Sequence, residues 1–169
     1  TPEQIKSQFA LAKKLYDSMG IKYDATELYE ADDLIATYAK IAKEKGFEVQ
    51  VVSGDKDLLQ LVDDKVKVLT PAMGFAKEVN YDVEVFTTKY EFEPERFIEY
   101  KALVGDSSDN IIGVEKLGDK TAKKLIKEYS GIDEMVNAAK EGIVKNKLGE
   151  NLAASGERLV DNLHLVTLI

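Results

Sequence analysis

The chain has 169 residues, of which 44% are hydrophobic and 32% charged, and its formal net charge is −8. This length and hydrophobic content suit one composite globular domain and argue against a disordered chain. The absence of cysteine excludes disulfides, thiolate metal sites and cysteine nucleophiles. No apolar run approaches the roughly 20 residues of a membrane-spanning helix, so we expect a soluble cytoplasmic protein without a membrane partner. We also expect a monomer.

The first third of the chain alternates between helical and strand patterns. Apolar residues at helical spacing predict helices over 1–19 and 31–45, each ended by a glycine. A short helix is predicted over 57–62. Strands are predicted from apolar and β-branched runs at 21–25, 47–53 and 66–69. This alternation predicts an α/β fold with a parallel, doubly wound sheet.

Beyond Pro71 the pattern becomes mainly helical. A hairpin is predicted around Met73-Gly74, and a polar loop is predicted over 105–113. Helical spacing predicts five helices, at 82–90, 94–104, 121–129, 132–139 and 154–165. We therefore divide the chain into an α/β part, 1–105, and a helical part, 106–169.

Acidic residues form three clusters at the ends of predicted strands or helices. The clusters are Glu30, Asp32 and Asp33; Asp55 and Asp57; and Asp106 and Asp109. Ligands of doubly wound sheets bind beyond the carboxyl ends of the strands, and carboxylates packed together need a cation. Oxygen ligands favour Mg²⁺ or Mn²⁺, and two such ions about 4 Å apart suit in-line phosphodiester hydrolysis. The candidate catalytic residues are Asp32, Asp33, Asp55 and Asp57.

The same acids also have a purely structural interpretation. Aspartate and glutamate commonly cap helices or occupy their first turn, and Asp32, Asp33 and Asp57 fit that description. Three clusters with Asp-x-Asp or Asp-x-x-Asp spacing favour metal binding. Removing the seven acids from the net charge of −8 leaves −1, so the acidic excess lies in the proposed site and does not exclude a nucleic-acid partner.

Residues 113–122 have the composition of a phosphate-binding turn. Glycines allow close approach of a backbone, and amides at the start of the following helix can face a phosphate. Residues 113–131 carry five lysines against three acids. The candidate DNA-binding residues are Gly113, Lys116, Gly118, Lys120, Thr121 and Lys123. The alternative is an ordinary helix-turn-helix corner with solvated lysines.

Four stretches together resemble one known family. They are Tyr-Glu-Ala-Asp-Asp-Leu-Ile-Ala at 29–36, Ser-Gly-Asp-Lys-Asp-Leu-Leu-Gln-Leu-Val at 53–62, Lys-Ala-Leu-Val-Gly-Asp-Ser-Ser-Asp-Asn at 101–110, and Gly-Val at 113–114 followed by Gly-Asp-Lys-Thr-Ala at 118–122. They resemble the 5′-3′ exonuclease domain of bacterial DNA polymerase I and the phage flap endonucleases. The order and spacing of the motifs match this family throughout, over nearly the whole chain.

The resemblance implies a Mg²⁺-dependent, structure-specific 5′ nuclease that cleaves DNA flaps and 5′ ends in replication and repair. The seven acids would correspond to ligands of its ions. Residues 113–121 would be a helix-hairpin-helix element that grips the duplex backbone and can hold K⁺ through main-chain carbonyls.

Two departures from the family pattern affect this interpretation. Lys116 stands where the family usually has glycine. The family also begins with a strand bearing an essential aspartate and then a basic arch; these would precede Thr1, so we expect an N-terminally incomplete chain. A noncatalytic DNA-binding module is therefore the main alternative. Another acid-rich α/β hydrolase, such as a phosphatase, is a third, and it would not need the turn at Gly113.

Overall fold

The structure, a computed structural model, describes residues 3–71 and 77–169. It divides into two compact units, Thr1–Ala31 and Asp32–Ile169. In the smaller unit, helix α1 spans Glu3–Met19. The segment after it folds back so that the rings of Tyr16 and Tyr23 lie 6.2 Å apart.

The strand predicted at 21–25 is wrong. Within the described residues this segment pairs with no other strand. Ile21 and Tyr23 are both 45% exposed, so the segment lacks the neighbour on which an extended chain depends for its hydrogen bonds.

The larger unit is built on a three-stranded sheet. Helix α2, Ala31–Glu44, precedes strand β1, Val49–Val52, and a 3-10 helix, Asp57–Leu61, leads from it to β2, Val66–Thr70. Strands β1 and β2 pair in parallel, from Val49 opposite Val66 to Val52 opposite Leu69. The α/β class with a helical second part is confirmed, as is the parallel arrangement of these two strands.

A third strand, β3, Val79–Tyr81, was not predicted. It pairs antiparallel with β2, with Tyr81 opposite Val68. The turn predicted at Met73-Gly74 lies outside the described residues, but β2 and β3 have the antiparallel pairing of a hairpin. At only three residues, β3 is too short to give an alternating pattern in the sequence.

Helices make up most of the second half of the chain. Their bounds are Val83–Tyr90 for α3, Phe97–Val104 for α4, Asp119–Glu128 for α5, Ile132–Lys140 for α6, Asn146–Ala154 for α7 and Gly156–Val166 for α8. A 3-10 turn, Pro94–Arg96, precedes α4. Two short strands, β4 (Gly105–Asp106) and β5 (Ile111–Ile112), pair antiparallel inside the predicted polar loop. None of the helices in the described ranges is long and apolar enough to cross a membrane.

Helix α7 was missed because its sequence is a poor helical pattern on its own. Gly149 lies inside it, and glycine costs about 1 kcal/mol in a helix interior. The structure explains this glycine, since a Cβ there would lie 1.9 Å from the carbonyl oxygen of Val144. Packing of α7 against α6 therefore overrides the weak local preference.

One hydrophobic core joins the sheet to the C-terminal helices. Leu58 and Leu59 of the 3-10 helix, Leu103 of α4 and Leu159 of α8 are all fully buried. Beside them, stacked and edge-on rings form an aromatic cluster of Phe86, Tyr90, Phe92, Phe97 and Tyr100. Because these elements share a core, the start of the 3-10 helix and the end of α4 are held next to each other.

Asp63 fixes the entry into β2, and we expect it to make stability depend on pH. Its carboxylate accepts the amides of Lys65 and Val66, both at 2.8 Å, and pairs with Lys43 of α2. Burial alone would raise the pKa of Asp63, but Lys43 and the two amides outweigh it and the pKa lies below its ordinary value. A lowered pKa stabilises the fold above the unfolded-state pKa and ceases to do so as pH falls through the folded one.

The matching experiment compares wild type with Asp63→Asn, which keeps an oxygen for both amides. The difference in their free energies of unfolding should be largest near neutrality and should shrink as pH falls from about 5 to about 2. A difference that stays constant over this range would contradict the prediction.

Candidate functional site

Three of the predicted acidic ligands meet in one cluster. Asp57 begins the 3-10 helix that follows β1, whereas Asp106 and Asp109 lie in the loop after α4. One carboxylate oxygen from each lies within 4.8 Å of the others. Among the described residues, this carboxylate cluster is the one group of three or more potential ligands that comes this close together. Two motifs about 50 residues apart in sequence therefore converge.

The loop that carries two of these acids, residues 105–112, is tightly closed at its base. We call it the carboxylate loop. Gly105 pairs with Ile112, and Asp106 pairs with Ile111. Just outside this pairing, the amide of Val114 donates to the carbonyl of Leu103 at 2.8 Å. The backbone at the base of the loop is thus fixed by a short ladder of hydrogen bonds.

Lys101 is a buried cation at the carboxylate cluster. It is 7% exposed, and its ammonium lies 2.6 Å from Asp106 Oδ2 and also donates to Asp57 Oδ1. Burial lowers the pKa of Lys101, but the hydrogen bonds to Asp106 and Asp57 outweigh it and the pKa is raised overall. The ammonium therefore keeps its proton at neutral pH and holds the two carboxylates together.

Asp106 is the most strongly held of the three acids. Its pKa lies far below the ordinary value, first because Lys101 donates to it and next because the hydroxyl of Ser108 does so. The amide of Ser108 also donates to Asp106 Oδ1 at 2.9 Å. Asp106 is consequently ionised and oriented throughout the neutral range.

The donor set fits a hard divalent cation. Every ligand atom is a carboxylate oxygen, the type that Mg²⁺, Mn²⁺ and Ca²⁺ prefer. Oxygens on opposite sides of such an ion are separated by about 4 to 5 Å, which the spacing of up to 4.8 Å allows. The formal charge of three carboxylates and one ammonium is −2, which a single divalent ion would neutralise.

Asp32, Asp33 and Asp55 do not join this carboxylate cluster. Asp55 is exposed, and its carboxylate accepts the amide of Asp57 at 3.0 Å. Asp32 and Asp33 are first-turn residues of α2, and Asp33 Oδ1 accepts the amide of Ile169 at 3.0 Å. Glu30 belongs to the smaller unit. The structural roles of Asp55 and Asp33 do not test metal binding, so the assignment of these four as ligands stays a prediction.

The predicted phosphate-binding turn follows the carboxylate loop directly. Val114 and Leu117 are 4% and 6% exposed and anchor it in the core, and the amide of Leu117 donates to the carbonyl of Val114 at 3.1 Å. Between them Lys116 has φ +62, and its side chain is 70% exposed. This left-handed backbone conformation favours glycine, so Lys116 occupies a position where glycine would be less strained.

Helix α5 continues the turn and carries its lysines. Gly118 is the N-cap residue, and the amides of Thr121 and Ala122 donate to its carbonyl at 3.0 Å. Lys120 is exposed, whereas Lys123 is half-buried and lies 3.2 Å from the carboxylate of Asp119. The exposed lysines of the turn and of the first turn of α5 therefore offer the more accessible charge.

Sequence reasoning missed Lys101. It lies inside a quoted motif, but its charge was given no role, because a lysine on a helix is usually solvated. The residues around Lys101 could have indicated that it is buried. Ala102 and Leu103 are apolar, and the next acid follows five positions after the lysine. A lysine in the otherwise apolar second half of a short helix is a candidate for burial with a partner.

The fold and the site define a class of protein in which an acidic α/β domain is joined to a helical domain with a glycine- and lysine-bearing turn. The chain belongs to the 5′-3′ exonuclease family. Residues 1–91 match the model of the 5′-3′ exonuclease N-terminal resolvase-like domain, and residues 92–169 match that of the 5′-3′ exonuclease C-terminal SAM fold. The family predicted from the motifs is thereby confirmed.

Individual relatives agree with this family. DNA polymerase I of Streptococcus pneumoniae R6 is 39% identical over 173 residues, which cover 99% of this chain and 19% of the relative. A bacteriophage T5 protein co-crystallised with metal ions has a TM-score of 0.81 at 28% identity, covering 98% of this chain and 62% of that one. A T5 flap endonuclease in a complex with DNA and metal ions has a TM-score of 0.78 at 29% identity, covering 98% and 58%. The chain thus spans about a fifth of the polymerase.

Proposed function

We propose that this chain is the metal-binding and DNA-binding part of a structure-specific 5′ nuclease that hydrolyses DNA phosphodiesters at flaps and 5′ ends. The observation that carries the proposal is the convergence of Asp57, Asp106 and Asp109. The first two pair with Lys101, and the last two lie immediately before the turn at 113–121. A phosphodiesterase that recognises the shape of DNA rather than its sequence needs a cation site next to a turn that binds the DNA backbone.

The ions we propose are Mg²⁺ or Mn²⁺, and the family suggests two of them. Asp57, Asp106 and Asp109 would hold one. Such ions supply a hydroxide nucleophile and stabilise the leaving oxygen of an in-line displacement. The protein's part is to orient these carboxylates: Lys101 pairs with Asp57 and Asp106, and Ser108 donates to Asp106. The further ligands we propose are Glu30, Asp32, Asp33 and Asp55.

For the DNA we propose a backbone contact at the turn. The exposed Lys116 and Lys120 would pair with phosphates, and the amides at the start of α5 would donate to them. The T5 complex with DNA and metal ions supports a nucleic-acid partner for this fold. The remaining residues that we propose to contact DNA lie in the same turn and helix: Gly113, Gly118, Thr121 and Lys123. We also propose that main-chain carbonyls of the turn can hold K⁺.

The experiment measures Mn²⁺ binding by electron paramagnetic resonance and cleavage of an end-labelled 5′-flap duplex. Asp106→Asn keeps the side-chain shape but removes a charge, and we expect the Mn²⁺ affinity to fall at least about tenfold. Asp133→Asn, an exposed acid on α6, is the matched control and should bind as wild type does. Equal Mn²⁺ affinity in wild type and Asp106→Asn would refute the metal site.

A noncatalytic DNA-binding module is the second candidate. The observation that favours it is that three of the seven proposed ligands gather in the carboxylate cluster. This candidate expects flap DNA to bind without turnover in Mg²⁺ or Mn²⁺. Cleavage by the 169-residue chain that EDTA abolishes, and that Asp106→Asn lacks, would exclude it.

Lys116 separates the conformational role of the turn from its proposed DNA role. Lys116→Gly should stabilise the fold by about 0.5 kcal/mol, since relief of the left-handed conformation exceeds the entropy that glycine adds to the unfolded chain. The same change should weaken duplex binding and reduce the salt dependence of the logarithm of the binding constant by about one unit.

The readouts are urea unfolding and fluorescence anisotropy with a labelled duplex at several salt concentrations. Lys116→Asn, which also tolerates positive φ, should lose the same affinity. Lys140→Asn, at the end of α6, controls for an exposed lysine outside the turn. An unchanged salt slope in both Lys116 variants would remove this residue from the proposed DNA contact.

Three broader assignments complete the proposal. We propose a division into an α/β part, 1–105, and a helical DNA-binding part, 106–169. We also propose that the protein acts as a monomer in the cytoplasm, in DNA replication and repair.

A further inference from the structure

Four polar side chains of the C-terminal helices α7 and α8 lie beside residues 102–115. This segment contains Asp106, Asp109 and the start of the backbone-binding turn. The four side chains are Asn151, Ser155, Arg158 and Asn162, spaced by three or four residues, and we call them the polar row. Three of the four, Asn151, Ser155 and Asn162, are 8%, 3% and 3% exposed. A polar row at this depth needs specific partners.

Asn162 joins the two stems of the carboxylate loop. Its side-chain amide lies 3.0 Å from the carbonyl of Ala102, in α4, and 3.0 Å from the carbonyl of Ile112, in β5. One stem leads from Lys101 to Asp106, and the other leads out of the loop to the turn. A single buried amide on α8 therefore links the two stems, in addition to the hydrogen bonds at the base of the loop.

The rest of the polar row holds the turn itself. Arg158 Nη2 lies 3.3 Å from the carbonyl of Gly113 and 2.8 Å from Ser155 Oγ. The side-chain amide of Asn151 donates to the carbonyl of Glu115 at 2.8 Å. Ser155 in turn donates to the carbonyl of Asn151 at 2.7 Å. The row thus holds the carbonyls of residues 112, 113 and 115 from two consecutive helices, α7 and α8.

The helical surface that carries the row is itself rigidly anchored. Leu152 and Leu159 are fully buried beside it, so the row cannot shift without disturbing the core. Apolar side chains could also pack these helices together, but they would not specify the position of individual carbonyls. Directional hydrogen bonds from buried polar groups do specify it.

We propose that the polar row is a positioning device that sets the distance between the carboxylate cluster and the backbone-binding turn. Asn151, Arg158 and Asn162 are its positioning residues. The inference rests on the proposed function, because it concerns where the DNA backbone lies relative to the bound ion. Displacements of about 1 Å in such sites cost large factors in reactivity, so the row would determine which phosphodiester is presented to the ion.

The test maps the ion against DNA without requiring catalysis. Fe²⁺ is loaded into the 169-residue chain bound to an end-labelled 5′-flap duplex, and ascorbate with hydrogen peroxide then generates hydroxyl radicals at the ion. The radicals cut the nearest nucleotides. For wild type we expect scission confined to a few neighbouring positions near the junction.

In Asn162→Ala and Asn151→Ala we expect the scission to shift or to spread over additional nucleotides. Affinities for Mn²⁺ and for the duplex, each measured alone, should stay within about twofold of wild type. Arg158→Lys keeps the positive charge but loses the planar guanidinium that aims Nη2 at both acceptors, so it should also broaden the pattern. Glu157→Ala, an exposed neighbour outside the row, should cut as wild type does.

Each result bears on a different claim. An unchanged scission pattern in Asn151→Ala and Arg158→Lys overturns the positioning role, even if Asn162→Ala fails to fold. Wild type that gives no localised, Fe²⁺-dependent scission refutes the proposed function, and the inference falls with it. Localised scission by wild type that spreads in the row variants, with both affinities retained, supports the inference.

Discussion

Replacing Lys101 with methionine is expected to make the stability of this protein depend on divalent cations. Lys101 is 7% exposed, and its ammonium pairs with Asp57 and Asp106. Methionine fills a similar volume but leaves the two carboxylates facing each other without a cation. Breaking a buried ion pair costs about 3 to 5 kcal/mol. Because both carboxylates remain partly exposed, we expect about 3 kcal/mol in the absence of metal.

A divalent cation should recover much of this loss. An ion bound by Asp57, Asp106 and Asp109 would replace the missing positive charge, and ligands that bind the folded state stabilise it by mass action. Urea unfolding in EDTA and in Mg²⁺ should therefore differ more for Lys101→Met than for wild type. Lys127→Met, which removes an exposed ion pair with Glu91, controls for the loss of a lysine. A loss of stability that is the same in EDTA and in Mg²⁺ would contradict the role assigned to the carboxylate cluster.

The same pairing limits repulsion within the carboxylate cluster. Neighbouring carboxylates repel one another, and the ammonium of Lys101 offsets part of that repulsion from within the core. The stability measurements in EDTA and in Mg²⁺ therefore compare two cations, the ammonium and the proposed ion, at the same carboxylates.

The sequence indicated the acids of the carboxylate cluster but not the lysine that pairs with them. Asp57, Asp106 and Asp109 were among seven acids selected because their motifs lie at the ends of strands or helices, but the pattern did not indicate which of the seven come together. Lys101 was missed because periodicity indicates which face of a helix is apolar, but not that one lysine on it is neutralised by acids from another segment. That pairing depends on tertiary contacts between the 3-10 helix and α4.

Errors in the predicted elements have related causes. The segment at 21–25 has the apolar residues of a strand but no strand to pair with among the described residues. Helix α7 has a glycine that looks like a helix breaker, yet Gly149 is there because Val144 lies against it. The absence of a pairing strand decided the first outcome, and the packing of α7 against α6 decided the second.

Gly105→Ala is expected to be the most destabilising glycine substitution at the site, because two separate costs meet there. Gly105 has φ +79, and an added Cβ would lie 2.4 Å from the amide nitrogen of Gly113 and 2.5 Å from the carbonyl oxygen of Ile111. Both atoms belong to backbone that closes the carboxylate loop. The loop would have to open to accept the methyl group, and Asp106 would move with it.

Two other glycines isolate the two costs. Gly142 has φ +75 with nothing within 4 Å of an added Cβ, so Gly142→Ala measures the left-handed conformation alone. Gly113 lies outside the left-handed region, but its Cβ would lie 2.3 Å from the carbonyl carbon of Val104, so Gly113→Ala measures the clash alone. We expect losses of about 1 kcal/mol for Gly142→Ala and about 3 kcal/mol for Gly113→Ala.

For Gly105→Ala we expect a loss of about 4 kcal/mol, the two costs combined. Urea unfolding of the three variants measures these values, and Mn²⁺ binding under folding conditions should be weakened in Gly105→Ala and unchanged in Gly142→Ala. A loss in Gly105→Ala no greater than that in Gly142→Ala would mean that the base of the loop accommodates a methyl group. The carboxylate loop would then be more deformable than its hydrogen bonds indicate. The close contact between Gly105 and Gly113 could then not be what holds Asp106 in position.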